Sequence, residues 1–480
     1  MSRALTAFAG VLWCAAVAAA GATGAAPPAP AVALPAPVLA ALQRAKVPAD
    51  AIAVVVQDVD GERAALRWRE RDAVNPASLA KLLTTAAALE QLGPAWQWRT
   101  PVWLTGPLRD GVLEGSLVIQ GRGDPTLVLE RVWLLLRRVQ ALGVRQIRGD
   151  IVLDGSAFAV PEAAPGDFDG EPLRPYNVEP AALLLNFRSV IYGFAPDAAA
   201  GVARVSAEPP LAGAAVDRSV PLAAGPCGDW RAGLKAAFEP GRTRFAGAYP
   251  TACGESSWPV ADPQPASYDA RLIEALWREL GGQLQGRVRE GRAPQGLAPR
   301  FEWPSPPLAE VVRDINKFSN NVMARQLSLT LALQAAPQQP ATPEAAREIL
   351  TRWVIETTGE PADDLVVDNG AGLSRSTRIS AARLARLLLH AYRGPVMSEL
   401  MSSLPVTGLD GTLRRSRATP GRAHLKTGSR RDVAGLAGYV LSDNGRRYVL
   451  VAIVNHPQAA AAAPALDALV QWTLRDAPGR

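Results

Sequence analysis

The sequence predicts an α+β protein, and three stretches carry that prediction. "VNPASLAKLLTTAAALEQLG", Val74 to Gly93, has the start, spacing and stop of a helix. "GRAHLKTGSRRDVAGLAGYVLSDNGRRYVLVAIVNH" reads as three strands in antiparallel succession, Ala423 to Thr427, Val433 to Leu441 and Arg447 to Asn455, the last two joined by an Asn444-Gly445 turn. Between them lies a long interval of short strand patterns punctuated by glycine and proline.

At 480 residues and 48% hydrophobic the chain has material for two or three cores, which excludes a disordered protein. Its opening, "MSRALTAFAGVLWCAAVAAAGATGAAPPAP", places Arg3 before an apolar run and small residues suited to cleavage near 20–26. Residues 1–26 therefore read as an export signal, with an uncleaved membrane anchor as the alternative. Trp13 argues against lipid attachment at Cys14. No other run is long enough to span a bilayer, so the expectation is a periplasmic protein with at most peripheral membrane association.

Net charge is +6, but the arginines are scattered and no aromatic-basic cluster points to nucleic acid. Three histidines, His390, His424 and His456, and no metal-ligand spacing around the cysteines make a metal site improbable, and no cofactor motif is present. Once the signal is removed, Cys227 and Cys253 remain. In an oxidising compartment such a pair reads as a disulfide worth about 3 kcal/mol, against the alternative of two free buried thiols.

Only five of the 51 basic Lys and Arg residues are lysine: Lys46, Lys81, Lys235, Lys317 and Lys426. Where charge alone is needed this chain uses arginine, so a lysine suggests a compact ammonium or an amine able to lose its proton. In the first helix Asn75 reads as the cap and Pro76 as the first helical residue. Ser78 and Lys81 then share a face in the first turn, where backbone N–H groups lack helical partners. One turn thus offers a nucleophile, a base and a donor to an oxyanion. Alone this is weak, since about 0.2 Ser-x-x-Lys matches arise by chance in such a chain.

The interval that follows reads as β-rich in "GVLEGSLVIQGRGDPTLV", "QIRGDIVLDGSAF", "EPAALLLNFRSVIYGFAPD" and "GVARVSAEPPL", with a helix near Tyr268 to Leu280. "DINKFSNNVMARQL" then joins two helices, about Leu308 to Lys317 and Asn320 to Leu333. Ser319 and Asn321, two apart, would not face each other in one helix, which places them on the connection with both side chains free to enter a cleft. In the first C-terminal strand Lys426 projects from Lys426-Thr427-Gly428, and Gly428 permits close approach of a backbone. Chance supplies on the order of 0.02 such tripeptides here, so this is the sharpest local signal.

The order Ser78-x-x-Lys81, Ser319-x-Asn321, Lys426-Thr427-Gly428 resembles the serine acyl-enzyme family that includes penicillin-binding proteins and serine β-lactamases. The 241 residues from Ser78 to Ser319 select a branch. With "GRGDPTL", "LDGSAF", "YNVEPAALLLNF", "CGESSW", "DNGAGLSR" and "LPVTGLDGTL", nearly the whole mature chain resembles the class C low-molecular-mass penicillin-binding proteins, D-alanyl-D-alanine carboxypeptidase/endopeptidases of the penicillin-binding protein 4 type.

That resemblance implies a β-lactamase/transpeptidase-like catalytic domain, an antiparallel sheet flanked by helices, from residues 34–100 and 300–480. It implies two nested inserted β-rich domains, a second from 101–126 and 214–299 and a third from 127–213. It also implies an acyl-enzyme on Ser78 with Lys81 as base, Ser319 relaying a proton, Asn321 orienting Lys81 and substrate, and the N–H groups of Ser78 and Ser429 holding the oxyanion. Lys426 and Thr427 would bind the carboxylate beside the scissile bond. Glu171 stands where some relatives carry an aspartate facing the substrate's side-chain amine, and Arg375 would face the side-chain carboxylate. The partners so implied are peptidoglycan stem peptides and, as acylating inhibitors, β-lactam antibiotics. The same motifs serve a β-lactamase or an esterase, and a catalytically silent peptidoglycan-binding protein is the reading from another class.

Overall fold

The strand Arg447–Asn455 shows why this chain folds around one sheet. Alternate residues point to opposite faces, and here both faces are apolar: Val449, Val451 and Ile453 join one buried cluster, and Tyr448, Leu450, Ala452 and Val454 join another. Such a strand must be covered on both sides. Fully burying a side chain of this size stabilises by about 1.5–3 kcal/mol, which sets the strand firmly in register. In the computed structural model, which describes residues 33–61 and 64–475, it is the middle strand of an order that runs Ala64–Trp68, Ile52–Asp58, Arg447–Asn455, Val433–Leu441, Ala423–Arg430, all antiparallel. The expected export signal lies outside the described residues.

One face of this sheet is covered by the helices Ala36–Arg44 and Ala463–Leu474. The other packs against Lys81–Leu92, Leu308–Phe318, Asn321–Ala335 and Ala381–Arg393. The three C-terminal strands fall where the alternation places them, although the first continues past Thr427 to Arg430. Among the described residues no helix is long and apolar enough to cross a membrane.

The interval between the first helix and Phe301 is built on four further sheets. One runs Val288–Glu290, Ile151–Asp154, Leu117–Gln120, Arg99–Leu104, Phe301–Pro304, and mixes parallel with antiparallel pairs. Another runs Tyr249–Pro250, Ser219–Ala223, Val202–Glu208, Ser189–Asp197, Ser256–Ala261. These pairings cut across the expected boundaries of the third domain. Val202–Glu208 bonds to Ser219–Ala223 across the 213/214 division, and Ile151–Asp154 bonds to Leu117–Gln120 across 126/127. Strand pairing is not local, so hydrogen-bonded sheets join segments on either side of both divisions. Side chains of the two sheets, such as Leu117, Ile151, Tyr192 and Val260, meet those of the Pro265–Glu279 helix in one apolar cluster. At its edge Cys227 and Cys253 are bonded, with 4.7 Å between their Cα atoms.

Candidate active site

Ser78 does not open an α-helix as its sequence suggests. Ala77–Ala80 forms a turn of 3₁₀-helix, and the α-helix begins at Lys81. The reason lies at Asn75 to Ala77. Asn75 Oδ1 accepts the Ala77 N–H at 2.9 Å, and Ala77 takes a left-handed φ of 48°, which interrupts the helical path that Pro76 would have begun. In a 3₁₀ turn residues i and i+3 eclipse, so Lys81 stands directly over Ser78. Its Nζ is 3.0 Å from Ser78 Oγ.

Two elements hold the left-handed turn. Asn455, at the end of the central strand, accepts the Asn75 N–H at 2.8 Å and donates through Nδ2 to the Asn75 carbonyl at 3.0 Å. Gly428, in the edge strand, lies so near that a Cβ there would stand 2.6 Å from the Pro76 carbonyl oxygen. The close approach expected at Gly428 is therefore an approach of the protein's own backbone, which seats the Lys426–Gly428 strand against the serine turn.

Lys81 is completely buried. Its Nζ donates to Asn321 Oδ1 at 2.6 Å and to the Ala371 carbonyl at 2.5 Å. Burial, and then the charge of Lys426, lower its pKa well below the ordinary lysine value. With both acceptors fixed, a neutral amine uses its two N–H groups on them and turns its lone pair to Ser78. Ala371 can reach Lys81 because Gly372, at φ 79°, has no side chain: a Cβ there would fall 1.6 Å from the Ala77 carbonyl oxygen.

Ser319 ends the Leu308–Phe318 helix in a left-handed conformation, φ 56° and ψ 38°. Asn320 caps the next helix, its side chain accepting the Met323 N–H at 3.0 Å, so Asn321 is the first residue of that helix rather than part of the connection. The reversal turns both side chains inward. Lys426 Nζ donates to Ser319 Oγ and to the Thr427 carbonyl, each at 2.9 Å. Lys426 is as buried as Lys81, and burial brings its pKa down to about 7. Thr427 Oγ1 lies 2.7 Å from Thr412 Oγ1. Ser429 follows on the same strand, exposed and opposite Ala434.

The structure thus brings Ser78, Lys81, Ser319, Asn321 and Lys426 into one hydrogen-bonded cluster with Thr427 and Gly428 on its flank. Glu171 and Arg375 stand apart from it. Arg375 Nη2 donates to the Phe168 carbonyl at 2.8 Å, and its guanidinium carbon lies 6.0 Å from the Phe168 ring centre. Glu171, three residues on, is exposed and accepts from Arg174 Nε at 3.4 Å. Arg375 is therefore linked to the Glu171 segment through backbone. Sequence reasoning read Asn75 only as a helix cap and assigned no role to Asn455, Ala371, Thr412 or the Lys317–Asp410 ion pair, in which Lys317 Nζ lies 2.6 Å from Asp410 Oδ2. The signals were present in the rarity of lysine and in the stretches "DNGAGLSR" and "LPVTGLDGTL".

A serine under a buried amine, with a second buried amine beside it, on an antiparallel sheet flanked by helices, defines a serine peptidase of the penicillin-binding class. The chain belongs to the D-Ala-D-Ala carboxypeptidase 3 (S13) family, whose model matches residues 34–475. It is 30% identical over 407 residues to a D-alanyl-D-alanine carboxypeptidase of Actinomadura sp., covering 79% of this chain and 73% of that one. It is 24% identical over 387 residues to the D-alanyl-D-alanine carboxypeptidase DacB of Haemophilus influenzae, covering 79% of this chain and 80% of that one. The crystal structure of penicillin binding protein 4 (dacB) from Haemophilus influenzae shares the fold, with a TM-score of 0.75 and 21% identity over 91% of this chain and 99% of that one. A predatory peptidoglycan endopeptidase from Bdellovibrio bacteriovorus matches at a TM-score of 0.50 and 15% identity, covering 89% and 93%.

Proposed function

We propose that this protein is an exported, periplasmic D-alanyl-D-alanine carboxypeptidase and D,D-endopeptidase that works through an acyl-enzyme on Ser78 and is acylated by β-lactams. The observation that carries the proposal is the placement of the Lys81 amine, buried, tied to Asn321 and Ala371, and 3.0 Å from Ser78 Oγ. Desolvation keeps such an amine neutral, so it can take the serine proton as Oγ attacks the carbonyl of the penultimate D-alanine. The N–H groups of Ser78 and Ser429 stabilise the oxyanion. Ser319, bonded to Lys426, passes a proton to the leaving amine. Lys426 and Thr427 receive the carboxylate next to the scissile bond, and water then hydrolyses the ester.

That carboxylate explains two activities at one site. A terminal D-alanine and the D-centre of a diaminopimelate cross-link both present a carboxylate beside the amide, so the same residues trim pentapeptides and open cross-links. Glu171 and Arg375 read the far end of the diaminopimelate side chain. Unchanged kcat/KM on diaminopimelate-bearing peptides in Glu171→Gln and Arg375→Ala would remove that part of the proposal.

The deciding experiment is intact-mass spectrometry after exposure to benzylpenicillin, with Ser78→Ala alongside. A stable penicilloyl adduct on the wild type and none on the variant is the expected result. Rapid loss of the adduct would favour a β-lactamase, and no adduct on folded wild type would favour a silent binding protein.

A further inference from the structure

Lys317 is nearly as buried as the catalytic lysines, yet it takes no part in the chemistry above. Its Nζ donates to Asp410 Oδ2 at 2.6 Å, and Asp410 Oδ1 accepts the Val406 N–H at 2.8 Å. Burial acts to raise the Asp410 pKa, but these hydrogen bonds outweigh it and hold the carboxyl below its usual value. Gly411, at φ 53°, lies so tightly on the helix end that a Cβ would stand 2.6 Å from the Lys317 carbonyl oxygen. The same segment is fastened to the edge strand, where Leu425 N–H donates to Pro405 O at 2.8 Å and Thr407 N–H to Ala423 O at 3.0 Å. Ser319 lies two residues beyond Lys317, so one ion pair, buried at its lysine and partly exposed at its aspartate, connects the loop to the helix that ends at Ser319.

What this clamped loop presents is Thr412, whose Oγ1 is 2.7 Å from Thr427 Oγ1. Each hydroxyl has a single proton to donate. When an anion lies beside Thr427, its proton goes to the carboxylate, because a charge-assisted bond is roughly twice as strong as a neutral one. Thr412 then becomes the donor to the Thr427 lone pair. The bonds run in one direction, Thr412 to Thr427 to carboxylate, and each polarises the next.

We propose that Thr412, fixed by the Lys317–Asp410 clamp, is a positioning residue that aims the Thr427 hydroxyl at the substrate carboxylate. The inference rests on the reading of Thr427 as a carboxylate ligand.

The test compares acylation rates with benzylpenicillin and with its methyl ester, which lacks the anionic carboxylate, in wild type, Thr412→Val, Thr412→Ser and Thr427→Val. Thermal melts verify that each variant is folded. Thr412→Val, nearly the same size, should reduce the preference for the free acid by about 3- to 10-fold, the worth of one hydrogen bond, and leave the ester rate unchanged. Thr412→Ser should restore the preference. Equal slowing with acid and ester would mean a merely structural role and overturn the inference. So would an unaltered preference in Thr412→Val while Thr427→Val loses it. If Thr427→Val also retains the preference, the carboxylate reading of Thr427 itself fails.

Discussion

Lys81 and Lys426 are buried alike, but the proposed mechanism needs them in opposite protonation states. Lys81 must be neutral to act as a base, and Lys426 must be charged to draw a carboxylate. Burial alone lowers the pKa of Lys426, whereas the charge of Lys426 adds to burial in lowering that of Lys81. A bell-shaped pH dependence of kcat/KM follows, with macroscopic limbs that belong to the pair. Activity should fall on the acid side as Lys81 gains a proton and on the alkaline side as Lys426, at about 7 in the free protein, loses one. A bound carboxylate holds the Lys426 proton, so the alkaline limb of kcat should lie at higher pH than that of kcat/KM. Identical limbs for both would show that Lys426 does not meet the carboxylate. Replacing Lys81 by Met should cost about 10²- to 10⁴-fold in acylation, the usual worth of a general base. Stability gives an independent reading. Both lysines have folded pKa values below the unfolded value near 10.4, so unfolding takes up protons between the two. The stability of wild type relative to Lys426→Met should therefore rise as pH climbs from about 7 towards 10, and a flat difference would place Lys426 in a wetter site. At this scale the sequence was informative because the chain spends lysine so sparingly. It was silent about Asn455, whose two bonds to Asn75 depend on a partner 380 residues away.

At the scale of elements the strands were legible and the decisive turn was not. Alternation fixed Val433–Leu441 and Arg447–Asn455 because each face of the sheet has its own apolar cover. The serine turn could not be read that way: its 3₁₀ form comes from a left-handed Ala77 held by Asn75, Asn455, Gly372 and Gly428, which lie on four separate pieces of chain. Gly372 is the sharpest test of this construction. Gly372→Ala must push the Ala371–Gly372 turn away from Ala77, because the added carbon overlaps a backbone oxygen that cannot swing aside. Lys81 would lose the Ala371 carbonyl and with it the direction of its lone pair. Acylation by benzylpenicillin should drop at least ~100-fold, since a 1 Å misplacement of a catalytic group can cost that much, while the variant remains folded by circular dichroism. Near-wild-type acylation would mean that Asn321 alone is enough to orient the amine.

For the whole molecule the question is how far the insertion and the catalytic sheet depend on one another. The resemblance implies nested insertions, and strand pairing across their expected divisions joins Val202–Glu208 to Ser219–Ala223 and Ile151–Asp154 to Val288–Glu290. Two small apolar clusters, Phe158 and Ala182 with Leu329 and Leu333, and Val178, Leu184 and Ala261 with Val322, tie the insertion to the Asn321–Ala335 helix. The insertion is thus tied to the catalytic part through that helix, and the Cys227–Cys253 bond is the place to probe whether its outer strands can open without disturbing the catalytic sheet. That bond closes a loop across 26 positions, which in the chain-entropy account is worth about 3 kcal/mol. Part of that loop, Tyr249–Pro250, pairs with Ser219–Ala223 through a short parallel ladder, so the bond guards a weakly paired edge. A Cys227→Ser/Cys253→Ser double variant should therefore become open to protease within about 220–256 at temperatures where the wild type resists. Its rate of acylation by benzylpenicillin should remain within about 2-fold of wild type, because none of the bonds that orient Ser78 and Lys81 passes through this region. Loss of acylation in step with the new cleavage would instead show that both parts unfold together, and that the insertion is needed to hold the catalytic sheet.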